Sequence, residues 1–157
     1  MNHYKLRRGF SLIELVIVVV IIAIIGAIAI PKMSRGSAGA NDSAVTQDLA
    51  TMRSALDLFG SEHGGAYPTA ANVIPQLTTY TDINGNTNAT KTTVFIYGPY
   101  LKTVPTMPVG TNKGLNTITT TGPAGTGSFG WYYDGASMWV NNPTTDVDVA
   151  GTPYNTY

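Results

Sequence analysis

Residues 8–14 read Arg8-Gly9-Phe10-Ser11-Leu12-Ile13-Glu14, and residues 10–30 continue as FSLIELVIVVVIIAIIGAIAI. Only Ser11 and Glu14 interrupt the apolar run. Wound as an α-helix at about 1.5 Å per residue, the run extends about 31 Å, enough to cross a bilayer. It is apolar on every face, so it belongs in lipid or among other apolar helices rather than on the surface of a domain. A chain of 157 residues has too little remaining mass to wrap such a helix all round.

Working outward toward the amino terminus, Lys5, Arg7 and Arg8 precede the run and no acidic residue accompanies them. The positive-inside rule places this end in the cytoplasm and the carboxyl-terminal part across the membrane. An ordinary secretory signal has a shorter apolar core followed by a small-residue cleavage site. Here the run is longer and leads into Pro31-Lys32 and a further helical segment.

Taken together, the basic leader, Gly9, Phe10, a small hydroxyl residue, two aliphatics, Glu14 and the long apolar run closely resemble the type IV prepilin signature. The resemblance implies cleavage between Gly9 and Phe10 by a membrane peptidase, and N-methylation of the new Phe10 amine by the same enzyme. Cut there, the chain keeps its apolar helix, whereas a secretory signal is lost. An acid in a membrane helix is costly. Glu14 either reaches back to the head groups or meets a positive charge one helical turn away. The resemblance implies the second: Glu14 pairs with the terminal amine of a neighbouring subunit and sets axial register. Pro31 has two readings, a kink in a continuing helix or the membrane exit; the resemblance favours the helix that bends or loosens.

Beyond Pro31, Ser34–Ala40 is a weak helix former with two glycines. From Asn41 the pattern strengthens: Val45, Leu49, Met52, Leu56 and Phe59 recur at spacings of one helical stripe. Gly60, Gly64 and Gly65 then supply stop signals. The stripe requires a partner, and the rest of the chain supplies strand signals. Thr92–Tyr97 is β-branched and aromatic. Gly130–Tyr133 and Ser137–Val140 flank Asp134-Gly135-Ala136, a hairpin signal. Trp131, Tyr133 and Trp139 are the expected cover of the stripe. Residues 78–91 and 110–128, rich in Thr, Asn and Gly, read as surface loops. The expected fold is α+β: a long amino-terminal helix, membrane-spanning in its first half, packed against a small antiparallel sheet. Its parts are a leader (1–9), a transmembrane and assembly helix (10–30) and a periplasmic domain (31–157) whose helix runs to about residue 62.

Two later segments extend the resemblance. Glu62–Pro68 is similar to the pseudopilin helix-to-loop junction with its Gly-x-Tyr-Pro pattern. Tyr100–Gly110 is similar to a Tyr-Leu…Pro…Pro…Gly segment of the major pseudopilin of type II secretion, with Met107 and Val109 in place of the usual Asp and Trp. The family implies a structural subunit of a periplasmic type II secretion pseudopilus. Its implied partners are copies of itself, the prepilin peptidase and methyltransferase, an inner-membrane assembly platform, minor pseudopilins and, before assembly, membrane lipid. The runner-up is a type IV pilus subunit for adhesion, motility or DNA uptake. Absence of cysteine weighs against it, because many such pilins close a carboxyl-terminal loop with a disulfide. A third reading is an exported enzyme on a membrane anchor.

Composition narrows the remaining classes. The chain has nine basic and nine acidic residues. With Lys5, Arg7 and Arg8 set aside, six basic residues face nine acidic ones, so no basic surface for nucleic acid is expected. No cysteine is present, which excludes a thiolate zinc site, a redox pair and a disulfide framework. No Gly-x-x-x-x-Gly-Lys-Ser/Thr loop is present. His63, beside Glu62, suits the carboxyl end of a helix, and no catalytic residue is assigned. Calcium requires six to eight oxygens. The family's major pseudopilins bind it in an acidic carboxyl-terminal loop, but only Asp134, Asp146 and Asp148 are available here, with Asn141 or Asn142. No cofactor or metal ligand is assigned, and calcium at Asp146 and Asp148 stays open as the alternative. Asn41-Asp42-Ser43 and Asn88-Ala89-Thr90 match the glycosylation sequon.

Overall fold

The computed structural model describes residues 9–122 and 124–157, and for residues 29–35 the backbone alone. The expected leader cations Lys5, Arg7 and Arg8 lie outside the described residues, as does the side chain of Pro31 on which the expected kink depends. The chain divides into two compact units, residues 1–37 and 38–157.

One helix, α1, covers Leu12–Glu62. In the first unit its start has a local cause. Ser11 occupies the N-cap, and the Glu14 carboxylate accepts the Ser11 backbone N–H at 2.8 Å. This is one arm of a capping box, which satisfies a donor that the helix leaves open. From Leu12 to Ile28 every side chain is exposed, with Leu12 at 80% and Ile22 at 63%. Among the described residues no helix is long and apolar enough to cross a membrane; the described side chains of the apolar run end at Ile28.

In the second unit α1 behaves as an amphipathic helix. Val45, Leu49, Met52, Leu56 and Phe59, the expected stripe, are all buried, and Ala55 joins them. Helix is assigned through Gly36 and Gly39 despite their weak propensity. After α1 comes a short helix, α2, Val73–Thr78, which the sequence reading did not anticipate. Pro75 falls in its first turn, where no intrahelical N–H bond is required. Val73, Gln76 and Leu77 are its buried residues.

The strands are short. β1, Tyr80–Thr81, pairs antiparallel with β2, Thr87–Asn88. β3 (Ile118–Thr119), β4 (Trp131–Tyr133) and β5 (Met138–Val140) form a second sheet. β4 and β5 make the expected antiparallel hairpin; β3 adds to β4 in parallel. At the hairpin turn Gly135 has φ 100°, and Asp134 accepts the N–H groups of Ala136 and Ser137. The architecture is α+β, with the helical stripe and the second sheet sharing one core.

Two strand expectations need correction. Thr92–Tyr97 is not a strand: it contributes only an isolated bridge from Tyr97 to Thr81. Val94 is 60% exposed, so its β-branched composition finds no sheet to cover it. Trp139 is not core. Alternation along β5 puts Met138 and Val140 inside and turns Trp139 outward, where Arg53 lies 5.4 Å above its ring. Trp131 and Tyr133 do face the core. Their polar atoms reach backbone carbonyls, the Trp131 indole donating to Pro105 and the Tyr133 hydroxyl to Pro68, both at 2.8 Å.

The 110–128 segment is also tied more firmly than a surface loop. Asn112, Asn141 and Asn142 are buried. Asn141 accepts from Gly125 N–H and donates to the Thr126 and Phe129 carbonyls. Asn112 donates to the Asn141 carbonyl, and Asn142 donates to the Val109 carbonyl at 3.1 Å. Gly110, at φ 70°, passes so close to Asn142 and Asp146 that a side chain there would overlap both.

Truncating the centre of the stripe tests this packing. Phe59→Ala is expected to cost about 3–5 kcal/mol of unfolding free energy. Leu58→Ala, one residue away and half exposed, should stay within about 0.5 kcal/mol of the parent. Denaturant unfolding followed by circular dichroism distinguishes the two.

Candidate processing and assembly site

Three of the four singled-out residues come together at the start of α1. Gly9 and Phe10 precede the helix and belong to no secondary structure. Phe10 is 80% exposed, and nothing lies within 4 Å of where a Gly9 side chain would project. The peptide bond between them therefore lies outside the helix. The capping contact of Ser11 and Glu14 stops the helix just short of that bond. Glu14 Oε1 makes no hydrogen bond among the described residues, while Oε2 takes the Ser11 N–H. The carboxylate thus caps its own helix and keeps one oxygen for a further donor. The sequence reading, head groups or a positive charge one turn away, does not include this capping role of Glu14. The Ser-x-x-Glu spacing at 11–14 was the available signal for its local role.

Residues 4–30 match the prokaryotic N-terminal methylation motif. The chain is 30% identical over 73 residues to type II secretion system core protein G of Klebsiella michiganensis, covering 46% of this chain and 51% of that protein. It is 40% identical over 75 residues to prepilin peptidase-dependent protein D of Escherichia coli K12, again 46% and 51%. With type IV major fimbrial protein FimA of Dichelobacter nodosus it shares 42% identity over 66 residues, 40% of this chain and 42% of that one. The chain is similar to type II secretion pseudopilins and type IV pilins, and it carries their amino-terminal methylation motif. It spans about half the length of these curated relatives. No solved structure matches it.

In this pilin-like chain the late acids are distributed rather than gathered. Asp134 serves the hairpin turn, and its second oxygen accepts the Trp139 indole N–H at 2.8 Å. Burial pushes the Asp134 carboxyl upward, but the Ser137 and Ala136 N–H groups and the Trp139 indole together hold it below the usual range. Asp146 receives Thr111 through both its N–H and its hydroxyl. Asp148 takes the Tyr157 hydroxyl and the Thr152 N–H. The side-chain oxygens of Asn141 and Asn142 point to Gly125 and Asn112. Among the described residues no three acidic or histidine side chains converge to hold a metal ion.

A carboxyl-terminal clasp occupies this region of the pilin-like domain, and sequence reading missed it. The Tyr154 hydroxyl donates to Asp42 on α1, and Val149 N–H donates to the other Asp42 oxygen at 3.0 Å. The Tyr154 and Tyr157 rings meet edge to face at 5.8 Å. The bond to Asp148, with burial second, pushes the Tyr157 phenol up to about 12. Burial, then the bond to Asp42, raises Tyr154 further. No local pattern announces a contact between residues 42 and 154, because nothing in the intervening chain encodes their meeting.

The clasp makes acid stability testable. The Tyr157 hydroxyl, then the Thr152 N–H, hold the Asp148 carboxyl below its ordinary range. A depressed folded value means that the stabilisation is present above the unfolded value near about 3.9 and is lost as pH falls through the folded one. Asp148→Asn should therefore flatten the fall in thermal midpoint between about pH 5 and about pH 2 relative to the parent. Melting curves across that range provide the check.

Proposed function

We propose that this chain is a structural subunit of a periplasmic type II secretion pseudopilus. The observation that carries the proposal is the described run of α1, Leu12–Ile28, exposed at every side chain and preceded by the Gly9-Phe10 bond. Among the described residues of the first unit nothing covers that surface. Lipid covers it before assembly and the same helix of other copies covers it afterwards, so the run is kept from water in both states. The basic leader stays in the cytoplasm, the run crosses the inner membrane once, and residues from Pro31 onward fold in the periplasm.

In this reading the prepilin peptidase cuts between Gly9 and Phe10 and methylates the Phe10 amine. Glu14 then offers its unbonded oxygen to the amine of a neighbouring subunit. An unpaired charge in such an environment is strongly disfavoured, so the pair selects one axial register. An inner-membrane platform and minor pseudopilins take part in assembly, and a separate cytoplasmic ATPase supplies the work. The role is structural, not enzymatic. The similarity to FimA and to prepilin peptidase-dependent protein D supports a second reading, a type IV pilus subunit. Similarity to core protein G, the Tyr100–Gly110 segment and the absence of cysteine favour secretion.

Mass spectrometry of the mature amino-terminal peptide is expected to show a chain beginning at Phe10 with one added methyl group. A mature chain beginning well past Pro31 would remove the assembly surface and with it both filament readings. Glu14→Ala should lower the yield of sheared filaments by about tenfold or more, the equivalent of about 1.4 kcal/mol per subunit, while the Phe59-centred core melts as in the parent. Genes for a secretin and a secretion ATPase beside this one, rather than a retraction ATPase, distinguish the pseudopilus from the pilus.

A further inference from the structure

Calcium in an acidic carboxyl-terminal loop is the cofactor that the pseudopilin resemblance brings with it. That ion takes about six to eight oxygens with lone pairs turned toward it. The candidate oxygens of this chain are committed elsewhere. Asp146 gives one carboxylate oxygen to the Thr111 N–H and the other to the Thr111 hydroxyl. Asp148 gives one to the Thr152 N–H at 2.7 Å and the other to the Tyr157 hydroxyl. Asp134 is occupied by its own hairpin turn and by the Trp139 indole. The side-chain oxygens of Asn141 and Asn142 accept the Gly125 and Asn112 N–H groups. Backbone oxygens are engaged as well: Asp146 accepts the Tyr154 N–H at 3.0 Å, and Asp148 accepts the Gly151 N–H at 3.1 Å. Each donor directs a positive hydrogen at a lone pair that a cation would need.

Lys113 adds a charge of the same sign as the ion. It lines a cleft of about 410 Å³ together with Asn41, Gly110, Asp146, Val147 and Tyr154. A divalent cation beside Asp146 would share that cleft with an ammonium group, at a Coulombic cost. The donor set therefore does not fit calcium.

The last four residues supply a different closure. The Tyr154 hydroxyl donates to Asp42 on α1, and the Tyr157 hydroxyl donates to Asp148. Val149 N–H reaches the other Asp42 oxygen at 3.0 Å, and Val147 bridges antiparallel to Pro153. Bonds from a hydroxyl to an ionised carboxylate are among the stronger hydrogen bonds of proteins. Residues 146–157 thus fold back on themselves and are fastened to α1, the two constraints that a loop-closing ion would impose.

We infer that a pair of tyrosine hydroxyls, Tyr154 on Asp42 and Tyr157 on Asp148, closes the carboxyl-terminal segment in the place of calcium, so that the domain folds and fixes its carboxyl terminus without a divalent cation. The clasp lies wholly within residues 38–157, so it stands whether the chain assembles as a pseudopilus or as a pilus.

Hydrogen exchange read by mass spectrometry, on the full chain in detergent micelles, tests both parts. Peptides covering residues 147–157 should exchange slowly in EDTA. Calcium chloride at about 5 mM, above the range of weak extracellular calcium sites, should slow them no further. The thermal midpoint should also be the same in both conditions, whereas a site filled at that concentration would raise it by about 2 °C or more. Tyr154→Phe keeps the edge-to-face ring contact with Tyr157 and loses only the hydroxyl. In EDTA its 147–157 peptides should exchange about tenfold faster or more, the loss expected for one bond to a charged group. Tyr157→Phe, whose hydroxyl bonds Asp148 rather than α1, gives the same reading if the first variant folds poorly. Slower exchange or a raised midpoint on adding calcium overturns the replacement. Unchanged exchange in both phenylalanine variants overturns the hydroxyl clasp.

Discussion

An apolar helix must be covered by something, and α1 poses that requirement twice with different terms. Between Leu12 and Ile28 apolar side chains point in every direction, so no single sheet or loop of the same chain can bury them. From Val45 to Phe59 they occupy one stripe, and a single layer suffices. The first half has no such cover among the described residues, and the cover proposed for it is lipid and then other copies. The second half finds its cover in Trp131, Tyr133, Met138 and Val140. In the proposed filament the covering layer of the first half is intermolecular, whereas that of the second half is intramolecular.

The domain that covers the stripe has very short strands and no disulfide, so its long irregular segments need other ties. Buried amide networks provide them. Asn112, Asn141 and Asn142 satisfy backbone groups that strands would otherwise pair, and each such bond prevents the cost of a buried unpaired donor or acceptor. At the carboxyl terminus Tyr154 and Val149 fasten to Asp42 of α1. His63 performs the comparable service at the other end of the stripe, joining the helix terminus to the first small sheet. The polar ties and the apolar stripe act on the same helix, which is how a domain poor in regular strands holds a defined shape.

Glu14 shows how one residue can serve two levels of structure. Its contact with Ser11 N–H marks where the helix begins and so leaves Gly9-Phe10 outside it. Its remaining oxygen is available to a neighbour. A helix-start signal and a proposed assembly contact thus coincide in one carboxylate, and the position of the Gly9-Phe10 bond relative to the helix follows from the first of these roles.

Much of this was legible in residue order because it depends on local periodicity. The all-round apolar run, the 45–59 stripe, the hairpin around Asp134-Gly135 and the motif through Gly9, Phe10 and Glu14 each require only neighbours within a turn or two. Thr92–Tyr97 shows the limit of such reading: its composition suits a strand, but strand formation needs a partner edge, and the chain brings only Tyr97 to Thr81. Trp139 was misplaced for a related reason, since which face of a hairpin turns inward depends on register with the helix. The amino-acid sequence by itself determined that there is a long helix, where its apolar character changes and where the amino-terminal methylation motif lies. Only the tertiary structure decided which loops are pinned by buried asparagines, that Tyr154 meets Asp42 and that both His63 nitrogens face carbonyls, because those contacts join residues that no local pattern relates.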